Sequence, residues 1–165
     1  YAATLNVVAK ADGSYTTANQ LVQRMNELYH ETGANDLSPN SYVFCQLFQI
    51  LAKSKTPKAV LKGKELLFEM KRLHDEGFSN VRPDATTYSH WLNCLTKSTL
   101  IDNTPEIATR ILEDVEEAFA AGENFLKPNR LLYSAVLQAY AKSGKGGEAA
   151  ATLLDRMNQD YLTGN

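Results

Sequence analysis

The sequence predicts an all-α protein, an α-solenoid of stacked antiparallel helix pairs. Three observations carry that prediction. First, an apolar stripe with the spacing i, i+3, i+4, i+7 of one helix face recurs along the chain. It is seen at Tyr133, Val136, Leu137 and Tyr140, at Tyr88, Trp91, Leu92 and Leu95, at Phe44, Leu47, Phe48 and Leu51, and more weakly at Tyr1, Thr4, Leu5 and Val8. Second, a lysine follows nine residues after each leading aromatic, at Lys10, Lys53, Lys97 and Lys142. Third, prolines at 39, 83 and 128 are each followed by Asn or Asp, setting a unit of 44 or 45 residues. Self-similarity at a fixed period marks a repeat protein.

Each unit opens with an aromatic-led helix, A, and continues with a second helix, B. The A helices are expected near 1–11, 41–54, 85–98 and 130–143, and the B helices near 16–32, 58–76, 105–121 and 146–162. The B stripes are Leu21, Val22, Met25; Leu66, Leu67, Met70; Ile111, Leu112, Val115; and Leu153, Leu154, Met157. Seven residues before each last member stands a small residue, Ala18, Gly63, Ala108 or Ala150, where paired helices can approach closely. Gly33, Gly77, Gly122 and Gly164 follow the B stripes as helix stops. Pro39, Pro83 and Pro128 end each unit, and Asn40, Asp84 and Asn129 are placed to cap the next A helix. Pro57 and Pro105 suit first turns of B helices. Short A–B loops make each pair antiparallel, and stacked pairs bury a continuous core. The chain thus reads as one array, with repeats at 1–40, 41–84, 85–129 and 130–165, the first and last incomplete.

Composition limits the function. The chain has 165 residues, 44% hydrophobic and 22% charged, and carries a net charge of −2. It has no apolar run long enough to span a membrane. Cys45 and Cys94 both fall in helical patterns and suit a reducing compartment rather than a disulfide framework. The chain opens at Tyr1 inside a helical stripe, which reads as a piece of a longer protein with further repeats. His30, His74 and His90 have no metal-ligand spacing with the cysteines, and no metal or cofactor is expected. The carboxylate pairs Asp75/Glu76 and Glu116/Glu117 read as solvated B-helix faces. No phosphate loop or nucleophile motif appears, so no catalytic residue is assigned.

Charge is sorted by helix type. The A spans contain no Asp or Glu; Asp84 stands just outside the third. A surface lined by A helices is therefore mildly basic, as a phosphodiester chain requires. The alternative role for each lysine is to stabilise the C-terminal dipole of its own helix, by about 0.3–1 kcal/mol.

The aromatic–x–x–apolar–apolar A helix, its Ala-Lys-Ser ending, and a B helix followed by Gly and Pro-Asp/Asn together resemble the pentatricopeptide repeat. The likeness is clearest in Lys127–Gly144 and Val81–Ser98 and covers essentially the whole chain. The units are longer than the family's, and the Asn that the family carries after the leading aromatic is absent. Tetratricopeptide repeats, a protein-binding alternative, lack the Pro-Asn/Asp turn before an aromatic-led helix.

The resemblance implies a right-handed superhelix, with A helices on the concave side, that binds single-stranded RNA. It implies base reading by the residue after each leading aromatic together with the residue after each closing proline. The pairs are Ala2 with Asn40, Cys45 with Asp84 and Ser89 with Asn129, while Ser134 lacks its partner. A purine-leaning target, A, G, A, follows from that rule. The alternative is that Asn40, Asp84 and Asn129 are N-caps only. The resemblance also implies base wedging at Tyr42, Thr86 and Leu131, and phosphate binding at Lys10, Lys53, Lys97 and Lys142. It further implies a mitochondrial or plastid location and a role in transcript processing, stability or translation. The competing expectation is a scaffold subunit of a large assembly, such as an organellar ribosome.

Overall fold

Prolines, glycines and capping side chains mark most helix boundaries among the described residues; the helices ending at Ser54 and Lys97 stop instead on Lys55 and Ser98. The computed structural model describes residues 15–38, 40–98 and 103–162. Among these there are seven α-helices and no strand: α1 (Tyr15–Thr32), α2 (Ser41–Ser54), α3 (Pro57–Asp75), α4 (Ala85–Lys97), α5 (Thr104–Ala120), α6 (Arg130–Ser143) and α7 (Gly147–Leu162). The protein is all-α, and each helix end lies within one residue of its sequence expectation. The expected first A helix, with Ala2 and Lys10, lies outside the described residues, as do Pro39 and Gly164.

The A helices α2, α4 and α6 begin on Asn40, Asp84 and Asn129 in extended backbone conformation, each side chain accepting a backbone N–H three residues on. At Asp84 the cap is reciprocal, because the Thr87 hydroxyl also serves the Asp84 backbone N–H. Pro57 and Pro105 occupy the first turns of α3 and α5, where a missing N–H costs nothing. At the end of α3, Gly77 takes φ +104°, and the N–H groups of Gly77 and Phe78 return to the His74 and Leu73 carbonyls. That paired closure needs the left-handed region at its turning residue, which glycine enters without strain.

Between each B helix and the next A helix lies a single 3-10 turn, at Asn35–Leu37, Ser79–Val81 and Asn124–Leu126. The last residue of each turn stands two before the unit-closing proline. Val81 and Leu126 are buried there, and Leu37 packs against the same core as Val81. The spacing of the prolines alone predicts a turn here but not this short helix. The apolar residue at constant offset was the signal for it.

The A helices are neighbours: α4 packs against α2 on one side and α6 on the other. Helix α3 packs on α2 and α4, α5 on α4 and α6, α1 on α2, and α7 on α6. Two buried clusters result. One gathers Phe44, Phe48, Leu66, Met70 and Val81 with α1 residues Val22 and Met25. The other gathers Leu92, Leu112, Val115, Leu132 and Val136 with Leu153. Tyr88 and Trp91 pack against both clusters and join them.

Candidate nucleic-acid interface

The side-by-side A helices bring their N-termini to one end of the row and their lysine-bearing C-termini to positions that also meet. At the N-terminal ends, the cap bonds to Val43, Thr87 and Leu132 measure 3.1, 2.8 and 2.9 Å. Asn40, Asp84 and Asn129 therefore are N-caps, and each spends its Oδ1 on the backbone. What remains is the second polar atom of each side chain. The Asn129 amide donates to Thr86 Oγ1 at 3.3 Å, linking the start of α6 to the start of α4. The Asn40 amide donates to Ser38 O at 3.5 Å. No hydrogen bond among the described residues reaches Asp84 Oδ2.

Asp84 lies close enough to Cys45 to act on its thiol. Burial first, and the Asp84 charge second, push that thiol up to about 11. Cys45 and Asp84, from the two ends of one unit, are thus brought together. Tyr42 and Leu131 are exposed, at 51% and 58%, while Thr86 and Ser134 are half-buried. Ser89 is placed differently from a residue that presents itself to a strand. It is 3% exposed, and its hydroxyl donates to Ala85 O at 2.8 Å within its own helix. The reason is that α4 is flanked by both α2 and α6, so residues beside its aromatic stripe are covered.

At the other ends of these helices, Lys53, Lys55, Lys97 and Lys142 surround a shallow depression of about 790 Å³. Among the described residues its remaining lining is Ala52, Thr96, Gln138 and Ala141, with no carboxylate. Lys142 does satisfy a helix terminus, but of the neighbouring helix rather than its own. Its ammonium donates to Thr96 O at 2.6 Å and to Ser98 O at 3.1 Å, both at the end of α4. Lys53 and Lys97 are exposed. They also line a smaller recess between α2 and α4, of about 270 Å³, with Gln49, His90 and Asn93. Burial holds the His90 imidazole below its ordinary 6.5, with Asp84 pulling the other way, so a neutral ring faces this recess at pH 7. Lys55, Gln49 and Asn93 were not singled out from the sequence. Only Lys55, two residues beyond the ladder lysine of its unit, left a signal there.

Asp84→Asn separates the cap from the charge, because Asn caps as well as Asp does. The Cys45 thiol is expected to titrate lower in that variant. It should stay above the ordinary 9, since burial is the larger cause. The pH dependence of alkylation at Cys45 in a Cys94→Ala background reads this directly, and an unchanged titration would separate Asp84 from the thiol.

No group of three or more His, Cys, Asp or Glu able to hold a metal occurs among the described residues. No described helix is long and apolar enough to cross a membrane. Comparison of the chain with known protein families, with curated proteins and with solved structures finds no match.

Proposed function

We propose that the chain is a pentatricopeptide-type α-solenoid, a right-handed superhelix of antiparallel helix pairs, that binds single-stranded RNA along its A helices and has no catalysis of its own. The observation that carries this reading is the four-lysine depression on a row of acid-free helices in a chain of net charge −2. A cationic depression with no carboxylate among its described lining residues suits a phosphodiester backbone. The exposed Tyr42 ring, beside the capped N-terminus of α2, offers a stacking face worth about 1–3 kcal/mol to a base. By its resemblance the chain acts in an organelle on transcript processing, stability or translation.

One specific observation favours a second reading, a scaffold subunit that grips RNA or protein without reading bases. Ser89 is covered, and all three capping side chains are committed to backbone. Such a subunit shows no sequence preference and travels with a particle.

The test is titration of labelled purine-rich single-stranded RNA at several salt concentrations. Four phosphate contacts give a log–log slope of roughly −3, and Lys53→Ala with Lys97→Ala should reduce it by about 1.4. Lys142 is kept, since it also holds the end of α4. An unchanged slope and affinity in the double variant would remove RNA from the reading. Base reading is tested by Asn129→Asp, which preserves the cap and changes only the second polar atom, the one that donates to Thr86 Oγ1. Preference should move from adenine toward guanine at one position. Pairing it with Ser89→Asn is less clean, because Asn must then fit a covered site. Equal affinity for all bases in both proteins selects the scaffold.

A further inference from the structure

The B helices share one register, marked by Ala18, Gly63, Ala108 and Ala150. Two positions of that register face outward, two residues before the small residue and five after it. There α5 carries Glu106 and Glu113, α7 carries Glu148 and Asp155, and α1 carries Thr16 and Gln23, all exposed. Helix α3 alone carries Leu61 and Phe68 at these places, 66% and 71% exposed. Two turns of helix separate them, so they form one ridge with Cα atoms about 10 Å apart. No packing demand among the described residues explains large apolar side chains where the equivalent helices place carboxylates or neutral polar groups.

The surroundings of the ridge carry more cations than carboxylates, although Glu65 and Asp75 also stand on this side of α3. Lys58, Lys64 and Lys71 are exposed on α3 and make no ion pair among the described residues. The other two cations of the helix are occupied, Lys62 with Glu65 at 2.7 Å and Arg72 with Glu69 and Glu76. Acidic residues outnumber basic ones in α1, α5 and α7, and only in α3 is the balance reversed.

We propose that the outer face of α3 docks an acidic amphipathic helix from a protein partner. Leu61 and Phe68 receive its apolar side chains, and Lys58, Lys64 and Lys71 receive its carboxylates. A second copy of the same face fits poorly, because it would set these lysines against their own kind. An anionic bilayer also fits poorly. Glu65 stands between Leu61 and Phe68 along the helix, and two apolar side chains are fewer than an in-plane helix buries. Apolar anchors ringed by charge are the pattern of a helix-docking face, and the ring sets the sign of the partner.

The probe is a labelled synthetic helical peptide with leucines at i, i+3 and i+7 flanked by glutamates, titrated into the full chain. Its control has lysines in place of the glutamates. Binding is expected for the glutamate peptide, weakening with salt, and not for the lysine peptide. Leu61→Ser with Phe68→Ser should weaken it about tenfold or more. The circular dichroism of that variant should be unchanged, because both side chains are exposed. Amide shift changes on adding the peptide should centre on α3. No binding of the glutamate peptide, equal binding of the lysine peptide, an unchanged affinity in the double variant, or shifts mapping away from α3 each overturns the proposal. So does binding only to phosphatidylserine-containing vesicles, which would make the face a lipid contact.

Discussion

Gly63→Val should destabilise the protein by more than about 3 kcal/mol. A Cβ built on Gly63 falls 2.5 Å from Trp91 Cδ1, 3.1 Å from Nε1 and 3.4 Å from Phe48 Cε1. Carbon atoms at rest sit about 3.5–4.0 Å apart, so even one methyl must displace the indole. The indole is not free to leave, because its Nε1 donates to Val60 O at 3.1 Å, one turn earlier on α3. Gly63→Ala therefore sets three terms against one another. Overpacking costs about 1–3 kcal/mol and the strained indole bond about 1, while replacing a mid-helix glycine by alanine returns about 1. The net for alanine is a loss of about 1–3 kcal/mol, and valine adds two further methyl groups and a poorer helix former. The indole is the cause, so Trp91→Leu should absorb much of the penalty, giving a coupling above about 1 kcal/mol in a double-mutant cycle by urea unfolding. If Gly63→Ala is neutral or stabilising, the spacing of α3 and α4 is set elsewhere.

Gly63 also shows how far the chain could be read before its structure. Its place in the small-residue series was legible from spacing alone, because punctuation and periodicity are local. The same holds for the helix ends at Asn40, Asp84, Asn129 and Pro57, where one or two residues decide the backbone. What faces Gly63 was not legible. Trp91 was counted only as a member of an apolar stripe, and its bond to Val60 joins residues 31 apart. For Lys142 the alternative to phosphate binding is the end of its own helix, yet its bonds cross 44 and 46 residues to the end of α4. Ser89, next to a leading aromatic, was expected to stand like Cys45 and Ser134. It is more covered than either, since α4 has described A helices on both sides. Contacts of this kind depend on which helices become neighbours, and that information lies outside any single stretch. The ridge on α3 is a middle case: Leu61 and Phe68 break the acidic pattern of the other B helices, but only the register with Gly63 makes the break visible.

Phe48→Ala is expected to cost about 3–5 kcal/mol and to split the unfolding transition. Phe48 is fully buried, in a cluster that reaches from α1 to Val81. The second cluster, around Leu92, Leu112 and Leu132, does not include Phe48 and meets the first through Tyr88 and Trp91. When adjoining cores are held mainly by a shared interface, weakening one lets it unfold at a denaturant concentration the other survives. Trp91 is the only tryptophan and sits on that interface, so its fluorescence reports the parting of the two cores. Far-UV dichroism reports total helix. In the parent protein the two signals should move together; in Phe48→Ala fluorescence should change first, with helix signal from α5 to α7 persisting. Leu112→Ala, fully buried in the other cluster, should leave α1 to α3 standing instead. The order of loss also bears on the lysine row, because Lys53 and Lys55 belong to the first half and Lys142 to the second. A partially unfolded Phe48→Ala should retain only the cations of α4 and α6. Coincident transitions in both variants would mean that the Tyr88–Trp91 joint couples the cores as strongly as either core holds itself.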